Sequence, residues 1–130
     1  MSSSSTILEN KELLEPSRIG ILLYGGIHAP GFQPVSQLKC SISDIKMVKS
    51  GDSIGYQRHF IANKNMKIGI LPFGYADGLQ RNWGNGVLKF SHKNRLIPTV
   101  GHISMDSCMV DLSSIRDISI GDDIIYFGDD

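Results

Sequence analysis

The sequence has no apolar run near the roughly 20 residues that a membrane-spanning helix needs, so a membrane protein is not expected. It has no excess of charge of one sign, because 13 Lys and Arg are balanced by 13 Asp and Glu. The basic residues are scattered rather than gathered in a stripe that follows phosphates, which argues against nucleic-acid binding. The first residues, beginning Met1-Ser2-Ser3, lack the basic-then-apolar order of a secretory signal. The sequence therefore predicts a cytoplasmic protein.

Cysteine is scarce, and the two residues present, Cys40 and Cys108, lie far apart without C-x-x-C spacing. This favours free, partly buried thiols over a disulfide framework. Four histidines have spacings that match no metal motif, so ordinary surface or strand positions are expected for His28, His59, His92 and His102. The G-x-S-x-G, P-loop and G-x-G-x-x-G motifs are all absent, which leaves hydrolase and nucleotide-binding functions without support.

The first part of the chain differs from the rest in its predicted secondary structure. A short helix is predicted over residues 9–16, and the apolar run Arg18–Tyr24, closed by Gly25-Gly26, is typical of a strand buried on both faces of a parallel sheet. Residues 27–37 carry two prolines and a glycine and indicate a linker. We therefore place a domain boundary here, with 1–37 and 38–130 as the two parts. A lone parallel-type strand beside a β-rich module suggests a piece of a larger protein.

From Leu38 onward the apolar residues alternate with a period of two. Leu38, Cys40 and Ile42 share one face, and a β-bulge at Ser43-Asp44 would shift the phase before Ile45. Turn residues separate further runs that predict short strands over 54–61, 66–71, 86–90, 96–100, 108–112 and 123–127. Many short strands with frequent turns predict a mainly β fold, built as a small closed or nearly closed β-barrel.

Three segments have compositions that are unusual for strands and turns with only a structural role. Residues 54–60 place a glycine before an aromatic residue in a predicted strand, where glycine hints at a close approach by a ligand or another backbone. Residues 71–78 gather a proline, two glycines and a tyrosine, and residues 100–106 end a strand in a mixed loop. Taken one at a time, each segment favours a structural role over a functional one.

Taken together, these segments resemble the carboxy-terminal domain of alanine racemases. Gly74-Tyr75-Ala76-Asp77-Gly78 is followed by Val100-Gly101-His102-Ile103-Ser104-Met105-Asp106, and an S-x-G-Y-x-R segment precedes both motifs. A closing G-D-x-x-x-x-F-G runs from Gly121 to Gly128 in the same order as in the family. The resemblance extends from about Arg18 to Gly128, and it adds a remnant of an α/β (TIM-type) barrel in front of the β domain.

The resemblance implies an isomerase that uses pyridoxal 5'-phosphate (PLP) to interconvert L- and D-alanine, which serves D-alanine biosynthesis and supplies a peptidoglycan precursor. In this family a tyrosine and the lysine that carries the cofactor act as bases on opposite faces of the substrate, and Tyr56 matches the tyrosine. A free phenol has a pKa of about 10, so a base of this kind needs a nearby cation, and Arg81 matches a supporting arginine. Met105 matches the residue whose backbone amide holds the substrate carboxylate, Tyr75 matches a gate residue, and Asp106 lies beside the gate.

The segment Arg18–Gly25 resembles the last strand of the family's amino-terminal barrel. This assigns Arg18 to the pyridine nitrogen of PLP and the backbone amides of Gly20 and Ile21 to its phosphate, at the carboxy end of a barrel strand. Ser4 matches a further phosphate-binding serine. In this family the tyrosine base acts in the active site of the other subunit, so a head-to-tail homodimer, or a complementary barrel half, is the expected partner.

The chain also departs from the family pattern. Gln57 stands where the family usually has glycine, and Asn82 stands where a second arginine is common. No lysine matches the one that binds the cofactor, and the family's final tyrosine-containing segment beyond Gly128 is not present, so we expect a fragment that is inactive by itself. Two alternatives remain open: a related broad-specificity amino-acid racemase, and a non-catalytic β-module that only dimerises or binds a partner.

Overall fold

The structure is a computed structural model that describes residues 9, 20–27, 29–31, 33 and 35–128. The chain divides into two compact units. The first comprises residues 1–38 and 127–129, and the second comprises residues 39–126 and 130. In the described ranges no helix is long and apolar enough to cross a membrane.

The second unit is built from short strands connected by turns. Nine strands are found among the described residues: β1 (Leu38–Ser41), β2 (Asp44–Val48), β3 (Ser53–Ile54), β4 (Phe60–Ile61), β5 (Met66–Leu71), β6 (Lys89–His92), β7 (Arg95–Val100), β8 (Cys108–Asp111) and β9 (Asp123–Phe127). Single-turn 3₁₀ helices occupy three of the connections: Tyr56–Arg58, Tyr75–Asp77 and Arg81–Trp83. The mainly β fold class expected from the sequence is confirmed.

Seven of the strands form one curled sheet in the order β1-β9-β6-β7-β8-β5-β2, and β3 and β4 form a separate hairpin. The two outer strands of the large sheet, β1 and β2, follow each other in the chain with only Ile42 and Ser43 between them. Ile42 donates its amide proton to the Asp122 carbonyl oxygen beside β9, and Ser43 donates to the Ile70 carbonyl oxygen on β5. The segment from β1 to β2 is therefore bent at Ile42-Ser43 and pairs with β9 through β1 and with β5 through β2. The two outer strands of the sheet are continuous in the chain, so the sheet curls into a half-barrel without a long free edge.

The bend lies where the apolar alternation changes phase: β1 ends at Ser41 and β2 begins at Asp44, so a break between two strands stands where the sequence predicted a β-bulge at Ser43-Asp44. Ile42 is 1% exposed and belongs to the main core, which fixes the corner from inside. On the outside, the Asp123 carboxylate on β9 accepts hydrogen bonds from Lys39 and Ser41 on β1. These bonds hold the pKa of Asp123 below its usual range, but the pair lies at the surface, where such pairs contribute little to stability.

The main core fills the concave side of the sheet. Phe90 on β6 is fully buried and packs at tilted or edge-to-face angles against Phe73 and Tyr126. A second, smaller cluster lies beneath the β3–β4 hairpin and includes Ile54, Met66, Ile68 and Val100. These clusters anchor the ends of β3, β5 and β7, from which the longer loops emerge.

In the second unit, two predicted strands differ from what the structure has. The continuous strand expected over 54–61 is broken, because Gly55, Gln57 and Arg58 have φ values of 86°, 61° and 57°, which no strand accommodates. Residues 86–88 precede β6 rather than belong to it, because they form a turn in which Val87 and Leu88 donate back to Gly84 and Trp83. The predicted strand 66–71 agrees with β5, and 123–127 agrees with β9.

In the first unit, the described part of the apolar run Arg18–Tyr24 is a series of turns and not the predicted strand. The amide of Leu23 donates to the Gly20 carbonyl oxygen at 3.0 Å, and the amide of Gly26 donates to that of Ile21 at 2.9 Å. A parallel strand needs neighbours on both sides for its backbone groups, and the described residues supply none here, so local hydrogen bonds take their place. Of the predicted helix 9–16 only Glu9 is described, and it is helical; the rest lies outside the described residues.

We expect Ile97→Ala to lower the free energy of unfolding by about 2–5 kcal/mol, because Ile97 is fully buried and its truncation leaves a cavity. Leu96→Ala is the matched control on the same strand, since Leu96 is 64% exposed and its loss should cost no more than about 0.5 kcal/mol. Urea denaturation of both variants measures the difference. Equal losses would mean that β7 does not present Ile97 to the core.

Both cysteines are free, as expected from the sequence. Burial raises the pKa of Cys40 to about 11 and that of Cys108 to about 12, above the ordinary 9.0. Above pH 9 the thiols of the unfolded chain ionise while those of the folded chain stay protonated, so the free energy of unfolding should fall as pH rises from 9 to about 11. Urea midpoints at pH 8, 9 and 10 measure this slope. In the Cys40→Ala/Cys108→Ala double variant the slope should be smaller, and an unchanged slope would assign the pH dependence to other groups.

Candidate functional site

A cleft of about 390 Å³ opens at one end of the half-barrel. It is lined by residues from three separate parts of the second unit: Tyr56, Tyr75, Arg81, Ile103, Ser104, Met105, Asp106 and Ser107. Five of these are site residues predicted from the sequence, namely Tyr56, Tyr75, Arg81, Met105 and Asp106. The structure therefore brings together all predicted site residues that lie in the β domain.

The β7–β8 connection, residues 101–107, is the central element of the cleft, and we call it the central loop. Its carbonyl oxygens at Ser104 and Met105 accept hydrogen bonds from the amides of Tyr75 and Ala76, at 3.0 and 2.9 Å. Ile103 points into the main core and is 1% exposed, and Ser104 bonds to Ser107 across the tip. The loop is thus held from inside by an apolar anchor and from the side by the Gly74–Gly78 turn.

Two glycines allow other backbones to approach this loop closely. A Cβ at Gly74 would lie 2.2 Å from the Met105 carbonyl oxygen, and a Cβ at Gly84 would lie 2.0 Å from that of Gly101. Both separations are far inside van der Waals contact, so any larger residue would push the segments apart. Asp77 supports the first approach, because its carboxylate accepts a hydrogen bond from the Gly74 amide at 2.9 Å.

The turn that carries Tyr56 packs on the start of the central loop. Gly55 and Gly101 both have positive φ, 86° and 69°, and a Cβ at Gly55 would lie 3.4 Å from the Gly101 Cα. The β3–β4 hairpin closes the turn through the pairs Ser53–Ile61 and Ile54–Phe60. The sequence indicated that something approaches Gly55 closely, either a ligand or another backbone. In the structure it is the backbone of Gly101 and His102.

Arg81 reaches the cleft from the long β5–β6 connection, which is fastened to β7 by one buried side chain. The hydroxyl of Thr99, 2% exposed, lies 2.9 and 3.0 Å from the carbonyl oxygens of Trp83 and Leu88 and accepts a hydrogen bond from the Gly86 amide. Asn85 donates its amide proton to the Gly101 carbonyl oxygen at 3.1 Å. The segment around Arg81 is thus tied both to the barrel wall and to the central loop.

The side chains at the mouth of the cleft are open to solvent: Tyr56 is 59% exposed, Met105 54% and Tyr75 39%. Within the described ranges, the Met105 amide donates to no acceptor and Asp106 forms no ion pair. The lining residues include two phenols, a guanidinium and a carboxylate, but no lysine. Such a set has the chemistry to bind a small carboxylate and to transfer a proton.

A second groove of about 280 Å³ adjoins the cleft and shares Arg81 with it. It is also lined by Gln57, His59, Asn82 and His102. The rings of His59 and His102 meet edge to face, with centroids 5.0 Å apart and an interplanar angle of 73°. These two histidines lie 43 positions apart, and no sequence spacing links them, so only the contact between the two loops shows that they pair. In the described part of the chain no group of three or more histidines, cysteines or acids is placed to hold a metal.

The four residues assigned to the cofactor lie in the first unit. Arg18 and Ser4 fall outside the described residues, and Gly20 and Ile21 lie at the start of the turns described above. Ile21 is 56% exposed, and nothing lies within 4 Å of the position that a Cβ would take at Gly20. The assignment of the Gly20 and Ile21 backbone amides to a phosphate group therefore stays a prediction.

Comparison with known proteins identifies the type of domain. Residues 35–130 match the family described as "Alanine racemase, C-terminal domain". The sequence is 39% identical to the alanine racemase of Clostridium tetani, in an alignment that covers 99% of this chain and 35% of that protein. The structure resembles that of Clostridium difficile 630 alanine racemase in complex with cycloserine, with a TM-score of 0.82, 34% identity, and coverage of 99% of this chain and 36% of that one.

The structure also resembles the alanine racemase of Bartonella henselae with covalently bound pyridoxal phosphate, with a TM-score of 0.78 and 29% identity. That match covers 87% of this chain and 33% of the other. The second unit is thus a β domain of the racemase type. The chain belongs to the alanine racemase family, and it spans about a third of the length of the relatives that it matches.

We expect Gly74→Ala to lower the free energy of unfolding by about 1–3 kcal/mol, because the new methyl group must displace the Met105–Asp106 peptide. Ala76→Ser, at an exposed position of the same turn, is the control and should change it by less than about 0.5 kcal/mol. Chemical denaturation measures both, and amide NMR shifts of residues 104–106 should move only in the glycine variant. Unmoved shifts in Gly74→Ala would contradict the close approach.

Proposed function

We propose that this chain is the carboxy-terminal part of a PLP-dependent alanine racemase. Residues 1–37 would be a remnant of the PLP-binding α/β barrel with a linker, and residues 38–130 the β domain. The observation that carries the proposal is the convergence of Tyr56, Tyr75, Arg81 and Met105 in one cleft, although they come from three separate connections. A module that served only for dimerisation would have no need to gather this set.

Racemisation removes a proton from one face of Cα and returns one to the other face. In the proposed mechanism Tyr56 exchanges the proton on one face, and its exposed phenol is free to reach a substrate held outside the barrel. Arg81 lines the same cleft and carries a permanent positive charge that stabilises negative charge on the phenol oxygen during the transfer. Asp106 also lines the cleft, and although it forms no ion pair among the described residues, we propose that it orients Arg81 when a substrate is bound.

The substrate carboxylate is proposed to bind at the central loop. The Met105 amide has no acceptor among the described residues, so a carboxylate oxygen at this position would take its hydrogen bond. Tyr75 lines the same cleft and is 39% exposed, and its proposed role is to narrow access so that small substrates are selected. Alanine, with its single methyl group, is the substrate that we propose.

PLP is proposed as the cofactor, held at its phosphate by the backbone of Gly20 and Ile21, with Ser4 as a further contact and Arg18 at the pyridine nitrogen. When bound, it supplies an electron sink that makes the Cα proton removable. The cleft has no lysine, so the second base and the covalent attachment of PLP belong to a partner barrel. We therefore propose a head-to-tail homodimer in the complete protein, or a complementary barrel half for this chain, in which Tyr56, Tyr75 and Met105 serve the partner's site.

The test is complementation. This chain is mixed with a separately made amino-terminal barrel that carries the lysine, PLP and L-alanine are added, and D-alanine is measured. We expect activity only in the mixture, and a loss of about 10²- to 10⁴-fold in kcat for Tyr56→Phe, since this variant removes a general base. Tyr24→Phe, at an exposed tyrosine outside the cleft, is the matched control and should keep wild-type activity.

Solvent deuterium exchange sharpens the same test. With bases on opposite faces, Tyr56→Phe should suppress exchange of the Cα proton of one alanine enantiomer much more than that of the other. Equal suppression for both enantiomers would contradict the assignment of Tyr56 as a base. A well-folded mixture without activity in the wild type would reduce the chain to a non-catalytic β-module, and turnover of larger amino acids at similar rates would favour a broad-specificity racemase.

A further inference from the structure

The phenol of Tyr56 is positioned by its backbone rather than by packing around the ring. Its side chain is 59% exposed, and it lies on a single turn, Tyr56–Arg58, between the two-residue strands β3 and β4. The only backbone hydrogen bond that the described residues give this turn runs from the Arg58 amide to the Gly55 carbonyl oxygen, at 3.3 Å. Any change in the turn therefore moves the phenol.

The turn has a conformation that its sequence does not favour. Gln57 and Arg58 are successive residues with side chains, and both have left-handed φ values, 61° and 57°. Such values are uncommon outside glycine and persist only where surrounding contacts hold them. Contacts from elsewhere in the fold must therefore stabilise this turn.

Those contacts come from one chain of side chains that ends on the central loop. The oxygen Oε1 of Gln57 lies 3.1 Å from Nε2 of His59, which donates the hydrogen bond in the tautomer protonated there. The His59 ring packs edge to face on the His102 ring. His102 lies between two fixed points, since Gly101 is buried against Gly55 and Ile103 is 1% exposed in the main core.

We propose that Gln57, His59 and His102 form a latch that fixes the Tyr56 turn on the central loop, and so sets the position of the phenol relative to Met105. These are positioning residues, and none of them needs to touch a substrate. The latch itself rests on geometry alone, whereas its effect on catalysis rests on the function proposed above.

The latch is tested without activity by 19F NMR of the full chain labelled with 3-fluorotyrosine. The chain has four tyrosines, and Tyr56→Phe identifies the resonance of Tyr56. We expect His59→Ala to shift or broaden this resonance and to leave the other three in place. His102→Ala should give the same change, and the double variant should add nothing to it. His102→Phe keeps an aromatic edge-to-face partner and should restore the wild-type resonance.

His59 is exposed, so His59→Ala is expected to fold even if His102→Ala does not. An unchanged Tyr56 resonance in His59→Ala would overturn the latch. The latch would also be overturned if the shift of the Tyr56 resonance in the double variant equalled the sum of the shifts in the two single variants, because residues that act independently have additive effects.

The effect on catalysis is measured in the complemented mixture. His59→Ala should lower kcat by about 3- to 10-fold with little change in KM, as expected for the loss of one aromatic pair. Exchange of the enantiomer served by Tyr56 should fall more than exchange of the other. If the 19F resonance responds but Tyr56→Phe leaves the exchange unaltered, the latch stands and the proposed function fails. If Tyr56→Phe suppresses the exchange of one enantiomer but the 19F resonance does not respond to His59→Ala, the proposed function stands and the latch fails.

Discussion

The site depends on close contact between backbones at the central loop. Three other segments pack on residues 101–107: the Tyr56 turn at Gly101, the Gly74–Gly78 turn at Ser104 and Met105, and the Arg81 segment at Gly101 again. Two of these approaches leave no room for a Cβ on the incoming residue, and the third brings two glycines of positive φ together. Because the contacts are between main chains, they fix distances to within the small tolerance of a hydrogen bond.

The half-barrel supplies the rigid support that this arrangement needs. The central loop connects β7 and β8, which pair with each other through Thr99–Val110 and Val100–Met109. Ile103 and Cys108 are buried in the main core on either side of the loop tip. Mobile connections would let the three segments drift apart, whereas loops anchored at both ends in a packed core hold exposed side chains such as Tyr56 in a fixed arrangement.

Local patterns predicted the parts of the fold that depend on local interactions. Strands β5 and β9 follow from short, mainly apolar runs that are bounded by turn residues, and the bend at Ile42-Ser43 lies where the alternation changes phase. The break at 55–59 could not be predicted from alternation, because it results from packing against Gly101, 46 residues away in the sequence. The run after Arg18 reads as a strand only on the assumption of parallel neighbours, and the described residues form turns in their absence.

For the site, the resemblance to the family named five residues that the structure places in one cleft, and their roles remain proposals. It did not name Ile103, Ser104 and Ser107, which also line the cleft, although all three lie in or beside the motif that carried the resemblance. The pairing of His59 with His102 had no signal in the sequence, since neither residue belongs to a recognisable spacing. Contacts between side chains on different loops are a property of the folded chain alone.

The use of glycine and main-chain hydrogen bonds has a consequence for how such a site can change. Side chains that line the cleft are not the ones that hold it together, so their replacement alters chemistry without dismantling the framework. The glycines differ in both respects: they have no side chain to contact a ligand, and they do not tolerate substitution. Changes of specificity in domains of this design should therefore occur at the lining residues. The small set of glycines must be kept in any sequence that forms the site.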